Sequence, residues 1–268
     1  MNEKVEKSLK QNSGEKTEKI ITIKKETIQR LIKDVKQIKK YPLDENNIYY
    51  LHDEENILKG YALIIGTVDT PYFGGYYFFE LSYPNDYPHS PPKVYFVTNG
   101  DNIRFNPNLY TTGKVCISLL NTWRGDQWTS CQTISSVLLT LGTLLCKDPL
   151  LNEPGTTIHH RDFNNYTKII EYKNIEIAII NILNKHPKKY YEKYSFINLF
   201  DSIVQEKYLE NKLKILQFIQ EKIQHPIEHI KTHLYNLNVV IDYNFLFKKI
   251  QNFSYEGNNN KIDYNINK

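Results

Sequence analysis

A mixed α/β (α+β) fold, an antiparallel strand meander with helices before and after it, is predicted by three features of the sequence. Apolar residues recur at helical spacing through Ile28, Leu31, Ile32, Val35 and Ile38 and stop before Pro42. Strand-like segments then follow one another closely, separated by glycine and proline pairs. A further helical run, apolar on most of its surface, comes only after a long irregular stretch. A helix, then strands close in sequence, then helices is the order of a domain whose helices pack on one side of an antiparallel sheet.

The elements follow in order. Residues 1–20 are rich in Lys and Glu and hold almost no large apolar side chain, so a disordered lead is expected there. The N-terminal helix covers residues 28–38. Four strands are expected next, and three of them are placed by pattern. One mixes apolar and β-branched residues over 61–68; one is aromatic over 76–83, after the turn signal Gly74-Gly75; one spans 94–98, after Pro91-Pro92. Residues 99–121 fit neither period and carry Asn106-Pro107-Asn108 and Gly113; an irregular stretch of this length inside a compact domain is usually functional. Thr129-Ser130-Cys131-Gln132 has the form of a capping box. Ile134, Val137, Leu138, Leu141, Leu144 and Leu145 follow it as a core helix that Asp148-Pro149 ends. Helical spacing resumes in Tyr166, Ile169, Ile170, Ile177 and Ile180, breaks at His186-Pro187, and returns over 190–200, 209–223 and 227–237. In this last region Leu209, Leu213 and Leu216 form one stripe, with Ile215, Phe218 and Ile219 beside it, and such a stripe must be buried against something. A flexible tail is expected over 254–268.

Composition narrows the function classes. The 268 residues are 40% hydrophobic and 24% charged, which excludes wholesale disorder. Three cysteines cannot all pair, so a disulfide scaffold is excluded and a reducing intracellular compartment, cytoplasmic or nuclear, is expected. No apolar run reaches membrane-spanning length and no signal-peptide core stands at the N-terminus, so no membrane partner is expected. The net charge of +4, from 34 basic and 30 acidic residues, gives no reason to expect nucleic acid. There is no phosphate-binding glycine loop or serine nucleophile elbow, and the cysteines lie too far apart for a metal pattern; no cofactor or metal is expected.

Cys116 is the first chemical candidate. A thiol among Asn, Tyr and Gly on an irregular segment is either an exposed nucleophile or a buried small hydrophobe, and local composition leaves both open. Cys131 and Cys146, at the two ends of the core helix, read as structural. His159 and His160 are adjacent, so they do not face one metal and read as surface residues.

Several separated motifs, in order, resemble the ubiquitin-conjugating enzyme family. Gly74 through Glu80 and then Tyr83 to Val94, with its prolines, resemble the family's strand and proline-rich loop. Asn106-Pro107-Asn108 followed by Cys116 resembles its His-Pro-Asn motif and catalytic cysteine; Trp128, the helix over 134–146 and Asp148-Pro149 continue the match. Arg104 to Asn108, Gly113 to Cys116, Thr122-Trp123-Arg124-Gly125 and Asn152-Glu153-Pro154-Gly155 resemble a large-subtype, dual-specificity branch. The likeness runs over about residues 25–183 and extends less clearly beyond. It implies a ubiquitin-conjugating core over residues 21–185 with an N-terminal helix, a four-stranded antiparallel meander and a catalytic loop, then a C-terminal helical extension over 186–253.

The resemblance also implies a chemistry. Cys116 accepts ubiquitin or a ubiquitin-like protein from an activating enzyme as a thioester and passes it to a substrate lysine or to the cysteine of a ligase. A thiolate is both a good nucleophile and a good leaving group. Asn108 donates to the developing oxyanion or supports the loop. Tyr110 is one wall of the pocket for the incoming lysine, and Glu153 falls at the acidic gate that orients the amine or takes its proton. His89, with Thr129 and Ser130, occupies the two ligase-docking loops. Two departures stand out. Asn106 replaces the motif's usual His, a loop-structuring position, and His89 stands where the family usually offers an exposed Phe, which argues against standard ring-type ligases. The rival readings are a non-catalytic binding module, which would lack Cys116, and a cysteine hydrolase using His159 or His160 as base.

Overall fold

The computed structural model describes residues 23–251 and 253. The expected lead over 1–20 and tail over 254–268 lie outside the described residues.

Helix α1 (Lys25–Lys40) buries Thr27, Leu31, Asp34 and Ile38 on one face. The buried Asp34 carboxylate is satisfied by the Arg30 guanidinium at 2.9 Å and by the Tyr87 hydroxyl. Thr27 donates to the Asn85 carbonyl at 2.8 Å, so α1 anchors the proline-rich loop directly.

Strands β1 (Ile48–His52), β2 (Lys59–Ile65), β3 (Tyr76–Ser82) and β4 (Lys93–Phe96) form an antiparallel sheet in sequential order, the meander expected from the sequence. Register follows the pleat. Ile48, Ile64 and Tyr77 stand side by side on one face, as do Tyr61, Glu80 and Tyr95 on the other. The Ile48 face packs against helix α2 (Ile134–Thr143), with Gly142 in contact distance of the Ile48 side chain, and against the irregular stretch through Phe105, whose ring meets Tyr77 edge-on at 5.7 Å.

The opposite face is covered too, which corrects the expectation of helices on one side only. Tyr61 stacks on Phe196 with ring centroids 4.4 Å apart, Phe78 meets Phe200 at 5.8 Å, and the Tyr76 hydroxyl donates to the Val204 carbonyl at 3.1 Å. These partners belong to the region after residue 186: α4 (Lys188–Lys193), a 3₁₀ segment (Ser195–Phe200) and α5 (Asp201–Ile223). Burial on both faces is why β3 is apolar nearly end to end instead of alternating.

Helix α3 (Phe163–Lys173) continues into a π-helical segment (Asn174–Asn181). The buried Asn174 accepts from the Tyr77 hydroxyl at 2.6 Å and donates to the Phe73 carbonyl at 2.9 Å. A Cβ on Gly75 would sit 1.9 Å from the Asn174 side-chain oxygen, so this close approach needs glycine.

Three further readings change. The N-cap of α2 is Thr133, which exchanges capping bonds with Ser136; Thr129 to Gln132 precede it as a turn. Residues 227–237 are not helical: β5 (Glu228–Lys231) and β6 (Asn238–Ile241) form a hairpin joined through Leu234–Asn236, and α6 (Tyr243–Gln251) follows. The buried stripe of α5 is Val204, Tyr208, Ile215 and Ile219, whereas Leu209 and Leu213 face solvent.

Candidate active site

The stretch after β4 is irregular in outline but densely self-bonded. The Leu109 amide donates to the Asn106 carbonyl and the Cys116 amide to the Asn108 carbonyl, both at 2.9 Å, so the chain doubles back and brings Cys116 beside Asn108. The turn is made at Gly113, with φ +88°, where a Cβ would strike the Tyr95 ring at 2.1 Å. Asn106 is 0% exposed. Its amide donates to the Leu144 carbonyl at 2.7 Å and its oxygen accepts from the Asn108 amide at 2.9 Å, which ties the loop to the end of α2. Asn106 thus structures the loop, as the resemblance implies for that position.

Cys116 is only 4% exposed, yet it lines a cleft of about 130 Å³ shared with Asn108, Tyr110, Trp123, Glu153 and Tyr235. The thiol donates to the Thr122 carbonyl at 2.8 Å, and the Thr122 hydroxyl accepts from the Ile117 amide at 3.0 Å, so the Thr122-Trp123 insert closes over one side of Cys116. The Asn108 side-chain amide donates to the Cys116 carbonyl at 2.6 Å. That bond braces the loop and uses one of two N–H groups, leaving the other for an oxyanion.

Tyr110 and Glu153 come to this cleft with Cys116 and Asn108. Tyr110 packs on the Arg104 guanidinium 3.6 Å from its ring centroid. Glu153 follows the 3₁₀ turn Pro149–Asn152, its amide bonded to the Leu150 carbonyl at 3.0 Å, and its carboxylate accepts from the Tyr235 hydroxyl. Burial, with the Glu153 carboxylate beside it, pushes the Tyr235 hydroxyl above its ordinary pKa.

His89, Thr129 and Ser130 form a second, exposed cluster that does not line this cleft. His89 lies 3.4 Å from the Ser130 hydroxyl and 3.4 Å from Glu26 of α1. The two loops are fastened by Trp128, whose indole N–H donates to the Pro88 carbonyl at 2.7 Å, and by Arg30, which donates to the Ser130 carbonyl at 2.7 Å. The two loops are therefore adjacent.

The remaining candidates separate. Cys131 is exposed, not the buried structural residue expected, because it lies in the turn ahead of the Thr133 cap. Cys146 is half-buried, and burial raises its thiol pKa. His159 is exposed, and His160 Nδ1 accepts from the Asp162 amide at 3.1 Å. Neither histidine lines the Cys116 cleft, so the base that a cysteine hydrolase needs is not at the nucleophile. Among the described residues no helix is long and apolar enough to cross a membrane.

The sequence motifs contain Arg104, Thr122 and Trp123 without assigning them a role, and no motif includes Tyr235. The signal that would have placed Tyr235 on a hairpin is the β-branched run Val239-Val240-Ile241 directly after Asn238.

A four-stranded meander flanked by helices, with a cysteine in a self-bonded loop after β4, is the architecture of one family. The profile described as ubiquitin-conjugating enzyme matches residues 30–174, more than half of the sequence, and the chain belongs to the ubiquitin-conjugating enzyme family. Among curated relatives it is similar to "Ubiquitin-conjugating enzyme E2 Z" of Xenopus tropicalis, at 40% identity over 157 residues, 58% of this chain and 50% of that protein. Likeness to the Homo sapiens E2 Z is 37% over 180 residues, 64% of this chain and 50% of that protein. The human "Dual E2 ubiquitin-conjugating enzyme/E3 ubiquitin-protein ligase BIRC6" is 44% identical over 122 residues, 42% of this chain and 2% of that protein. The chain spans about half the length of the E2 Z relatives. These likenesses agree with the large-subtype, Z-type resemblance of the motifs.

Proposed function

We propose that this chain accepts ubiquitin or a ubiquitin-like protein from an activating enzyme as a thioester on Cys116 and transfers it to a substrate lysine or a ligase cysteine. The observation that carries this reading is a thiol lining a small cleft walled by Asn108, Tyr110 and Glu153, within the matched family segment. Charging forms the Cys116 Sγ–acyl bond and releases the activating enzyme's own thiol. Transfer to lysine forms a C–N bond, breaks the C–S bond and returns Cys116 as a thiol. Asn108 offers its second amide N–H to the oxyanion while its first holds the loop. Tyr110 walls the amine's approach, and Glu153 orients it or takes its proton. The His89, Thr129 and Ser130 surface serves ligase docking, with no aromatic anchor, and the free cysteines favour a reducing compartment, cytoplasmic or nuclear. Residues 186–253 act as an ancillary part of the residue 21–185 core, not as a second catalytic unit. They hold no cysteine, and their apolar residues join the same core.

The test is a charging assay with activating enzyme, ATP and ubiquitin or ubiquitin-like proteins, read on non-reducing gels. A reductant-sensitive adduct is expected only when activating enzyme and ATP are both present, and Cys116→Ser is expected to trap a reductant-resistant oxyester. Normal charging of Cys116→Ala, or an adduct formed without ATP, would refute the assignment.

A further inference from the structure

The cleft around Cys116 is not completed by the conjugating core. Its far wall is Tyr235, from the tip of the β5–β6 hairpin, 82 residues beyond the carboxylate that its hydroxyl bonds. The tip is held in place from both sides. The buried Asp162 carboxylate accepts from the His233 and Leu234 amides, each at 2.9 Å. The Thr232 hydroxyl donates to the Leu234 carbonyl at 2.7 Å. Tyr235 itself adopts φ +63°, a left-handed conformation that costs an aromatic residue energy and persists only where the surroundings over-determine it. Its ring lies 5.8 Å from that of Tyr166 and 4.6 Å from the Arg104 guanidinium, which also packs on Tyr110 at 3.6 Å. Arg104 Nε has no hydrogen-bond partner; a terminal nitrogen of the half-buried guanidinium donates to the Pro107 carbonyl, and the two rings flank the cation. A stack of Tyr110, Arg104 and Tyr235 therefore rims the cleft and ends on the Glu153 carboxylate.

We propose that Tyr235 is a positioning residue for transfer to amines: its hydroxyl holds the Glu153 carboxylate in the orientation that receives the incoming lysine, so the hairpin supplies part of the lysine gate. This deepens the reading above and rests on it. In the step concerned the ammonium gives one proton to the Glu153 carboxylate or to water, the amine nitrogen attacks the thioester carbonyl, the C–N bond forms, the C–S bond breaks, and the leaving Cys116 thiolate takes the second proton from the adduct's nitrogen. Transfer to a thiol needs no such gate, because a thiolate forms near neutral pH without a carboxylate's help. The hydroxyl thus matters to one class of acceptor and not the other.

The experiment uses the full chain charged with ubiquitin, freed of activating enzyme, and followed in single-turnover discharge to free lysine and, in parallel, to 2-mercaptoethanol. Tyr235→Phe keeps the ring on Arg104 and removes only the hydroxyl. The ratio of lysine to thiol discharge is expected to fall roughly tenfold, the scale of losing one hydrogen bond to a charged group. Glu153→Gln probes the same contact from the other partner and is expected to lower the same ratio; the double variant should lose little more than the worse single one. An unchanged ratio in Tyr235→Phe, or losses that multiply in the double variant, would overturn the inference while leaving the conjugating function intact. Wild-type protein that takes up no ubiquitin or ubiquitin-like protein from any activating enzyme would overturn both.

Discussion

Phe200→Ala tests whether the region after residue 186 is a structural half of the core or an appendage. Phe200 is 0% exposed and its ring meets Phe78 of β3 edge-on at 5.8 Å. Truncating a fully buried Phe costs about 3–5 kcal/mol through lost transfer energy and the cavity left behind. Of this, about 0.5–1.5 kcal/mol reflects the aromatic pair itself. Against a total stability of about 5–15 kcal/mol that is a large fraction. With a urea m-value of about 2–3 kcal/mol/M the midpoint should fall by roughly 1–2.5 M. The two tryptophans, Trp123 and Trp128, both lie between β4 and α2 and not in the extension, so their fluorescence reports the conjugating core alone. The expected result is a fluorescence midpoint lowered together with the far-ultraviolet dichroism midpoint, in one transition. An unmoved fluorescence transition, with an earlier partial loss of dichroism, would refute the shared core and make the extension an independent unit.

Asn108→Ala removes the 2.6 Å bond to the Cys116 carbonyl together with the free N–H, and is expected to slow lysine discharge on the order of 10²-fold while slowing charging less. Equal loss in the two steps, measured by single-turnover gels, would reduce Asn108 to loop support. Thiol labelling should follow exposure and pKa: iodoacetamide at about pH 8 is expected to modify Cys131 before Cys146. The raised pKa of Cys146 leaves it less thiolate at that pH, and its labelling should accelerate as pH rises through the shifted value. Peptide mass spectra showing Cys146 modified first would contradict the assigned burial.

The parts of this molecule that were legible in the sequence are those whose partners lie close along the chain. Asn108 and Cys116 are eight residues apart because the loop doubles back and bonds to itself, so the motif and its geometry are one local object. The meander was legible for the same reason, since each strand pairs with the next. The second layer was not, because Tyr61 meets Phe196 and Phe78 meets Phe200 across more than a hundred residues, and no spacing rule reaches that far. One clue was present: a strand apolar on both faces, as Tyr76–Ser82 is, already requires two covering layers. The hairpin was misread because the apolar residues around Ile230 and Leu237 also satisfy a helical period, whereas Val239, Val240 and Ile241 carry the β preference that prevailed.

This division between local and distant contacts bears on the chemistry. The nucleophile and its loop are specified within residues 104–123, whereas the group facing Glu153 comes from residue 235. In the proposed reaction, covalent capture of the acyl group needs only the local object. On the reading proposed above, choosing an amine over a thiol needs a carboxylate held in one orientation, and that hold comes from Tyr235 of the extension. Loosening the hairpin anchor, for instance at Asp162 where two backbone amides converge, would act on the acceptor step without touching any motif that marks the family. On the proposed reading the extension serves stability through its packing on the second face of the sheet and acceptor choice through the hairpin tip at Asp162 and Glu153.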